Sequence, residues 1–95
     1  MDLRQLNALL AVAEHHSFSA AARALHTVQS NVSTHVARLE QEVGAVLIDR
    51  ALGELTVEGE IVADRARRIL AELRSIEDDL SALRDEVSGA VAAPA

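Results

Sequence analysis

The chain has 95 residues, 49% of them hydrophobic and 25% charged, a composition that folds and that suits one small domain. Cysteine is absent, which excludes disulfides, thiolate metal sites and a cysteine nucleophile. The net charge of −6 speaks against nucleic acid as a bulk property, but it is unevenly spread: residues 1–50 hold four Arg and five acids, and residues 51–95 five Arg and ten acids.

All nine cations are Arg, a residue that suits phosphates and base edges and is equally ordinary on surface helices. Phe18 is the only aromatic residue, so base stacking on aromatic platforms is nearly excluded. No apolar run approaches the ~20 residues of a membrane span. The opening Met1-Asp2-Leu3-Arg4 lacks the basic and apolar regions of a signal peptide. The expected location is cytoplasmic. Gly and Pro are scarce, which points to helices.

The first helix is predicted from Leu3 to Glu14. Asp2 is an N-cap, Gln5 completes a capping box, and Met1 and Leu6 form a hydrophobic staple. Leu3, Leu6, Leu10 and Ala13 fall on one stripe, with Leu9 alongside. Ser17 caps a short second helix, Phe18 to Leu25, whose Ala20-Ala21-Ala22 run permits a close helix approach. His26-Thr27-Val28 breaks the pattern. A third helix carries Val32, Val36, Leu39 and Val43 on one face and ends at Gly44 as its C′ residue.

Two short helices joined by a tight break after a first helix form a helix-turn-helix. Gln29, Ser30, Asn31, Ser33, Thr34 and Arg38 lie off the apolar stripe and crowd the N-terminal turns of the third helix. That is the arrangement a recognition helix needs, with donors and acceptors at the end that enters the major groove. Gln29 can pair bidentately with adenine N6 and N7. His35 is placed on the exposed side of the same helix.

Val46-Leu47-Ile48 and Leu55-Thr56-Val57 flank Gly53 and read as a small hairpin, the wing of a winged helix-turn-helix. Thr56 is the N-cap of a long last helix, Val57 to Val87. Val62, Ala66, Ile69, Leu73, Ile76, Leu80, Leu83 and Val87 repeat every three and four residues along it. Ile61 and Ala66 are expected to pack on the head. The stretch Ile69, Leu73, Ile76, Leu80, Leu83 and Val87 is expected to find a second chain. Residues 64–74 sum to +2 and residues 75–87 to −4. Antiparallel pairing lays opposite charges together, although exposed pairs contribute little each.

The sequence, taken in order, resembles the DNA-binding domain and linker helix of LysR-type transcriptional regulators. The resemblance runs from Met1 to about Val91. It rests on Met1-Asp2-Leu3-Arg4-Gln5-Leu6, Ala13-Glu14, Ser17-Phe18, Ala21-Ala22, Leu25-His26, Gln29-Ser30 and Val32-Ser33. Leu39-Glu40, Gly44, Leu47, Arg50, Leu55-Thr56, Gly59 and Ala66-Arg67-Arg68-Ile69-Leu70 continue it. It implies a mainly α fold, a winged helix-turn-helix of three helices and a β-hairpin wing, followed by a long dimerisation helix. It places DNA contacts at Gln29, Ser30, Asn31, Ser33 and Thr34, and phosphate contacts at Arg4 and Arg50. It also implies antiparallel linker helices and a following effector-sensing domain. Asp85-Glu86-Val87-Ser88-Gly89 looks like the run into that domain's first strand. The chain is then a truncated form, a fragment or a degenerate stand-alone domain.

The sequence departs from the family at several points. Val28 replaces the Ser or Thr before Gln29, moving the expected cap to Thr27. Thr34 replaces a common basic residue, Ile48 a Phe, and Glu58 an Ala. The wing, Ala51-Leu52-Gly53-Glu54, is short and lacks a basic tip.

The expected organisation is a DNA-binding domain at 1–57, a dimerisation helix at 58–87 and a tail at 88–95. The expected partners are double-stranded DNA and a second copy of the chain, with no membrane, cofactor or small-molecule site. His15, His16, His26 and His35 lack partners at metal-ligand spacing, and Glu77-Asp78-Asp79 reads as a solvated face. No nucleophile elbow or Gly-rich phosphate loop supports an enzyme. The leading function is a sequence-specific, dimeric transcription regulator. The alternative is an interaction module that heterodimerises through the long helix without binding DNA, favoured by the charge and the stripped wing and opposed by the polar third helix.

Overall fold

The computed structural model describes residues 1–92, with side chains described through Glu86. The order is α1 (Leu3–His15), α2 (Phe18–Ala24), α3 (Gln29–Val43), β1 (Ile48–Asp49), β2 (Glu54–Leu55) and α4 (Val57–Ala92). This is the winged helix-turn-helix with its long terminal helix. Its radius of gyration, 17.9 Å, exceeds the ~12 Å of a compact chain this long, because α4 projects from the head.

Local chemistry sets the helix ends. Asp2 Oδ1 accepts from the Gln5 backbone N–H at 2.9 Å, and Gln5 Oε1 accepts from the Asp2 N–H at 3.2 Å. The staple does not form around this box. Met1 stays exposed and its amino group meets the Glu42 carboxylate instead. Ser17 Oγ accepts from Ala20 N–H and caps α2. Gly44, at φ 72°, ends α3. The expected cap on α3 is absent: Val28 occupies the N-cap without a side-chain bond. Thr27 Oγ1 instead accepts from Asn31 Nδ2 at 2.8 Å.

The core joins Leu6, Leu9 and Val12 of α1 to Ala21 and Ala22 of α2 and to Val32, Val36 and Leu39 of α3. Leu47 and Ile48 close it from the wing, and Ala63 and Ala66 from α4. The predicted α1 stripe is therefore displaced. Leu3 is exposed and Leu10 only half-buried, while Gln5, Ala8 and Ala11 go inside. Helix α1 touches α2, α3 and α4, so it buries a broad arc rather than a line.

The strands pair antiparallel with Ile48 opposite Leu55 and Asp49 opposite Glu54. They are shorter than the apolar runs predicted. Thr56 leaves the strand to cap α4, accepting from Gly59 N–H at 3.0 Å, and its hydroxyl donates to the Val46 carbonyl at 2.6 Å. Asp49 Oδ1 accepts from Ala51 and Leu52 N–H groups at 3.0 and 3.2 Å and holds the turn.

Helix α4 reaches Ala92, past the expected end at Val87. Ser88 and Gly89 weaken a helix but do not stop one. The expected run into a strand therefore begins inside the helix, and residues 93–95 lie outside the described part. Ile61 does not pack on the head. It is 62% exposed, whereas Gly59, Ala63 and Ala66 are buried. The head-facing strip of α4 selects small residues because the helix lies close against the wing. A Cβ on Gly59 would run into the Leu47 carbonyl oxygen and sit 3.1 Å from Leu55 Cδ2. Backbone, not a flexible side chain, is in the way. Gly59→Ala should therefore cost about 3 kcal/mol in urea denaturation, with the loss centred on the wing in amide exchange.

Candidate DNA-binding surface

Helix α3 buries Val32, Val36 and Leu39 and turns its polar residues out. Ser30, Thr34 and Arg38 are exposed along the outer face. Gln29 and Ser33 occupy the edge next to α2 and the wing. Asn31 occupies the opposite edge, next to the start of α1. His35, on that second edge, is half-buried rather than exposed. A hollow of about 390 Å³ opens there between α1 and α3, lined by Arg4, Asn7, Thr27, Asn31 and His35 among others. Its polar rim and exposed Arg4 suit a backbone phosphate.

The structure thus brings Arg4, Gln29, Ser30, Asn31, Ser33, Thr34 and Arg38 to one side of the head. Two of the side chains are held by neighbours. Ser19 of α2 donates to Gln29 Oε1 at 2.7 Å, and Asn31 is tied to Thr27 as described.

Arg50 is differently engaged from what its role as a free phosphate contact suggests. Its guanidinium donates to Glu40 Oε1 at 3.2 Å and lies 4.8 Å from the Phe18 ring centroid. Cation–π contact and an ion pair both fix it beside the wing. Glu40, which in the sequence only contributes to the resemblance, has a structural role. Its carboxylate also accepts from the Leu47 and Ile48 backbone N–H groups at 2.8 and 3.4 Å. No sequence signal marks these bonds, because backbone amides carry no side-chain signature.

Two carboxylates at the back of this surface are held below the usual range. Gln5 backbone N–H donation lowers Asp2, with Arg4 and His35 adding to it. Bonds from the chain's amino group and from Gln5 lower Glu42, joining the start of α1 to α3. Both folded values lie below the unfolded ones, so their stabilisation is present above about pH 4.5 and is lost as pH falls through the depressed folded values. Acid unfolding below about pH 4 should become less steep in an Asp2→Asn, Glu42→Gln double variant, followed by helical circular dichroism.

The dimerisation candidates stand apart from this surface. Ile69, Leu73, Ile76, Leu80 and Leu83 are between 40% and 56% exposed on projecting α4. Val87 lies outside the described side chains. Among the described residues no group of His and acids could hold a metal ion, and no helix is long and apolar enough to cross a membrane.

Residues 3–60 match the family model described as bacterial regulatory helix-turn-helix protein, lysR family. The chain is 40% identical over 93 residues to the HTH-type transcriptional regulator CfxR of Cupriavidus necator, covering 96% of this chain and 29% of CfxR. It superposes on full-length LysG of Corynebacterium glutamicum with a TM-score of 0.84 at 33% identity, covering 90% of this chain and 30% of LysG. It superposes on the CbnR DNA-binding domain, solved in complex with DNA, with a TM-score of 0.75 at 37% identity, covering 90% of this chain and 99% of that one. The chain thus spans less than a third of the length of CfxR and of LysG. It belongs to the LysR family of bacterial regulatory helix-turn-helix proteins.

Proposed function

We propose that this chain is the DNA-binding and dimerisation module of a sequence-specific transcription regulator. Residues 1–57 form the DNA-binding head and residues 58–87 the dimerisation helix. The observation that carries the reading is the outward polar face of α3, crowded at its N-terminal end and flanked by Arg4. Two such helices, set apart by paired α4 helices, suit successive major grooves of an inverted repeat. The CbnR domain, bound to DNA in its solved structure, has this fold over nearly its whole length. The module performs no catalysis, and its site of action is the cytoplasm. The stripped wing that speaks for the interaction-only alternative is outweighed by the polar face of α3 and by a relative of the same fold solved on DNA.

Within this reading Gln29, Asn31 and Ser33 meet base edges. Ser30, Thr34, Arg38, Arg4 and the opening amides of α3 meet phosphates, joined by Arg50 from the wing. Phosphate contacts are few, because the wing has no basic tip. Three cationic contacts per protomer, doubled in the dimer, give a slope of roughly −5 for log affinity against log salt. Gln29→Ala should cost about 1–3 kcal/mol on a selected duplex and little on a scrambled one. Fluorescence anisotropy over a salt series measures both quantities. Equal losses on the two duplexes would refute base reading by Gln29. Failure of the wild type to bind any duplex at low salt would refute the function.

A further inference from the structure

Ser19 is the second residue of α2. Four residues back lies His15, in another helix, so the serine hydroxyl has no carbonyl of its own helix to bond. It reaches across to α3 and donates to Gln29 Oε1 at 2.7 Å. Both residues are exposed, so the bond satisfies no buried group. Its consequence is orientation. An amide side chain has an oxygen end that accepts and a nitrogen end that donates, and here the oxygen end lies against α2.

We propose that Ser19 sets the polarity with which Gln29 reads a base. The amide oxygen is drawn back onto α2, and Nε2 enters the major groove first, as a donor. Its two hydrogens match the adjacent N7 and O6 acceptors of guanine. Adenine sets an N6 donor beside N7 and calls for the amide oxygen as well, the atom that Ser19 holds. The base pair under Gln29 is therefore guanine in preference to adenine, and Ser19 is a positioning residue that never touches DNA. Asn31 shows the same device inverted. Its Nδ2 is held by Thr27 at 2.8 Å, which leaves the oxygen end in front.

This inference rests on the proposal that Gln29 faces a base, and its test separates the two. Duplexes with a randomised centre are selected in parallel by wild type, Gln29→Ala, Ser19→Ala and Ser19→Thr. Gln29→Ala should flatten the preference at one base pair and so locate it. At that pair the wild type should enrich guanine over adenine by about fivefold or more. Ser19→Ala frees the oxygen and should bring the ratio to one or invert it. Ser19→Thr keeps the hydroxyl and should keep the wild-type ratio, a rescue that loss of a merely structural contact would not produce. If Gln29→Ala changes no position, base reading by Gln29 fails and this inference with it. If Gln29→Ala flattens a pair at which wild type and Ser19→Ala choose alike, or at which wild type prefers adenine, the polarity assignment alone is overturned.

Discussion

Ile76→Glu is expected to turn the dimer into a monomer and to lower DNA affinity on the order of 100-fold or more, because one head alone loses the second half-site. Ile76 is 56% exposed on the projecting part of α4, midway along the stripe from Ile69 to Leu83. Apolar side chains spaced this way over two heptads have no cover from the head, which is spent on Gly59, Ala63 and Ala66. In the proposed dimer a second α4 supplies it. In the antiparallel arrangement Ile76 faces its own symmetry mate, so one substitution places two carboxylates against each other in a closing apolar seam. Uncompensated buried charge of that kind costs about 3–5 kcal/mol. The variant should keep its helical circular dichroism, since Ile76 touches no core residue of the head, and should sediment as a monomer. Ile76→Val should remain a dimer. Spin labels at positions 68 and 85 check the direction of pairing: antiparallel helices bring 68 near 85 of the mate and hold the two 68 labels well apart. A wild-type chain that is monomeric at tens of micromolar would remove the basis of the prediction.

Much of this fold is legible in the sequence because its helix ends carry their own caps. Asp2 with Gln5, Ser17 and Gly44 each act locally, and each lies where the sequence puts it. The faces are less legible. Leu6, Leu9 and Leu10 support several overlapping stripes, and only the three-sided contacts of α1 select the one centred on Leu9 and Val12. Ile61 illustrates a second limit. Apolarity suggests it for the head-facing side of α4, but the strip that meets the head runs through Gly59, Ala63 and Ala66 with Val62 beside it, and Ile61 falls on the opposite side of the helix. The polar residues of α3 are legible as a group because a helix with one apolar stripe leaves them nowhere else to go. Their fixing partners are not. Ser19 and Thr27 meet Gln29 and Asn31 through a turn geometry that no periodicity encodes, and the cap expected from Thr27 is lost to its bond with Asn31. Glu40 acts across a sequence gap onto backbone amides, which carry no side-chain signature at all.

Glu40→Ala is expected to cost about 3–4 kcal/mol, a large share of the 5–15 kcal/mol that holds a small domain folded. The Glu40 side chain is only 15% exposed and serves three donors. It accepts from the buried Leu47 amide at 2.8 Å, from the Ile48 amide at 3.4 Å and from Arg50 at 3.2 Å. Leu47 and Ile48 are themselves fully buried, so without the carboxylate their N–H groups lose a charged acceptor that water cannot easily replace. Urea denaturation measures the loss, and amide exchange at Leu47 locates it in the wing. Glu40→Gln separates the structural role from the electrostatic one. The amide oxygen still accepts one backbone bond, so the cost should fall to about half that of Glu40→Ala. The charge that neutralises Arg50 is gone, however, and Arg50 lies beside the proposed DNA surface. Its guanidinium then meets its phosphate without a competing carboxylate, which should raise affinity for scrambled as well as selected duplexes while leaving the number of phosphate contacts behind the salt slope unchanged. A less stable protein that binds DNA more tightly is the signature of a phosphate contact weakened by Glu40. If Glu40→Gln instead binds both duplexes more weakly, the ion pair is what aims Arg50 at the phosphate, and the cost of losing that alignment exceeds the gain in charge.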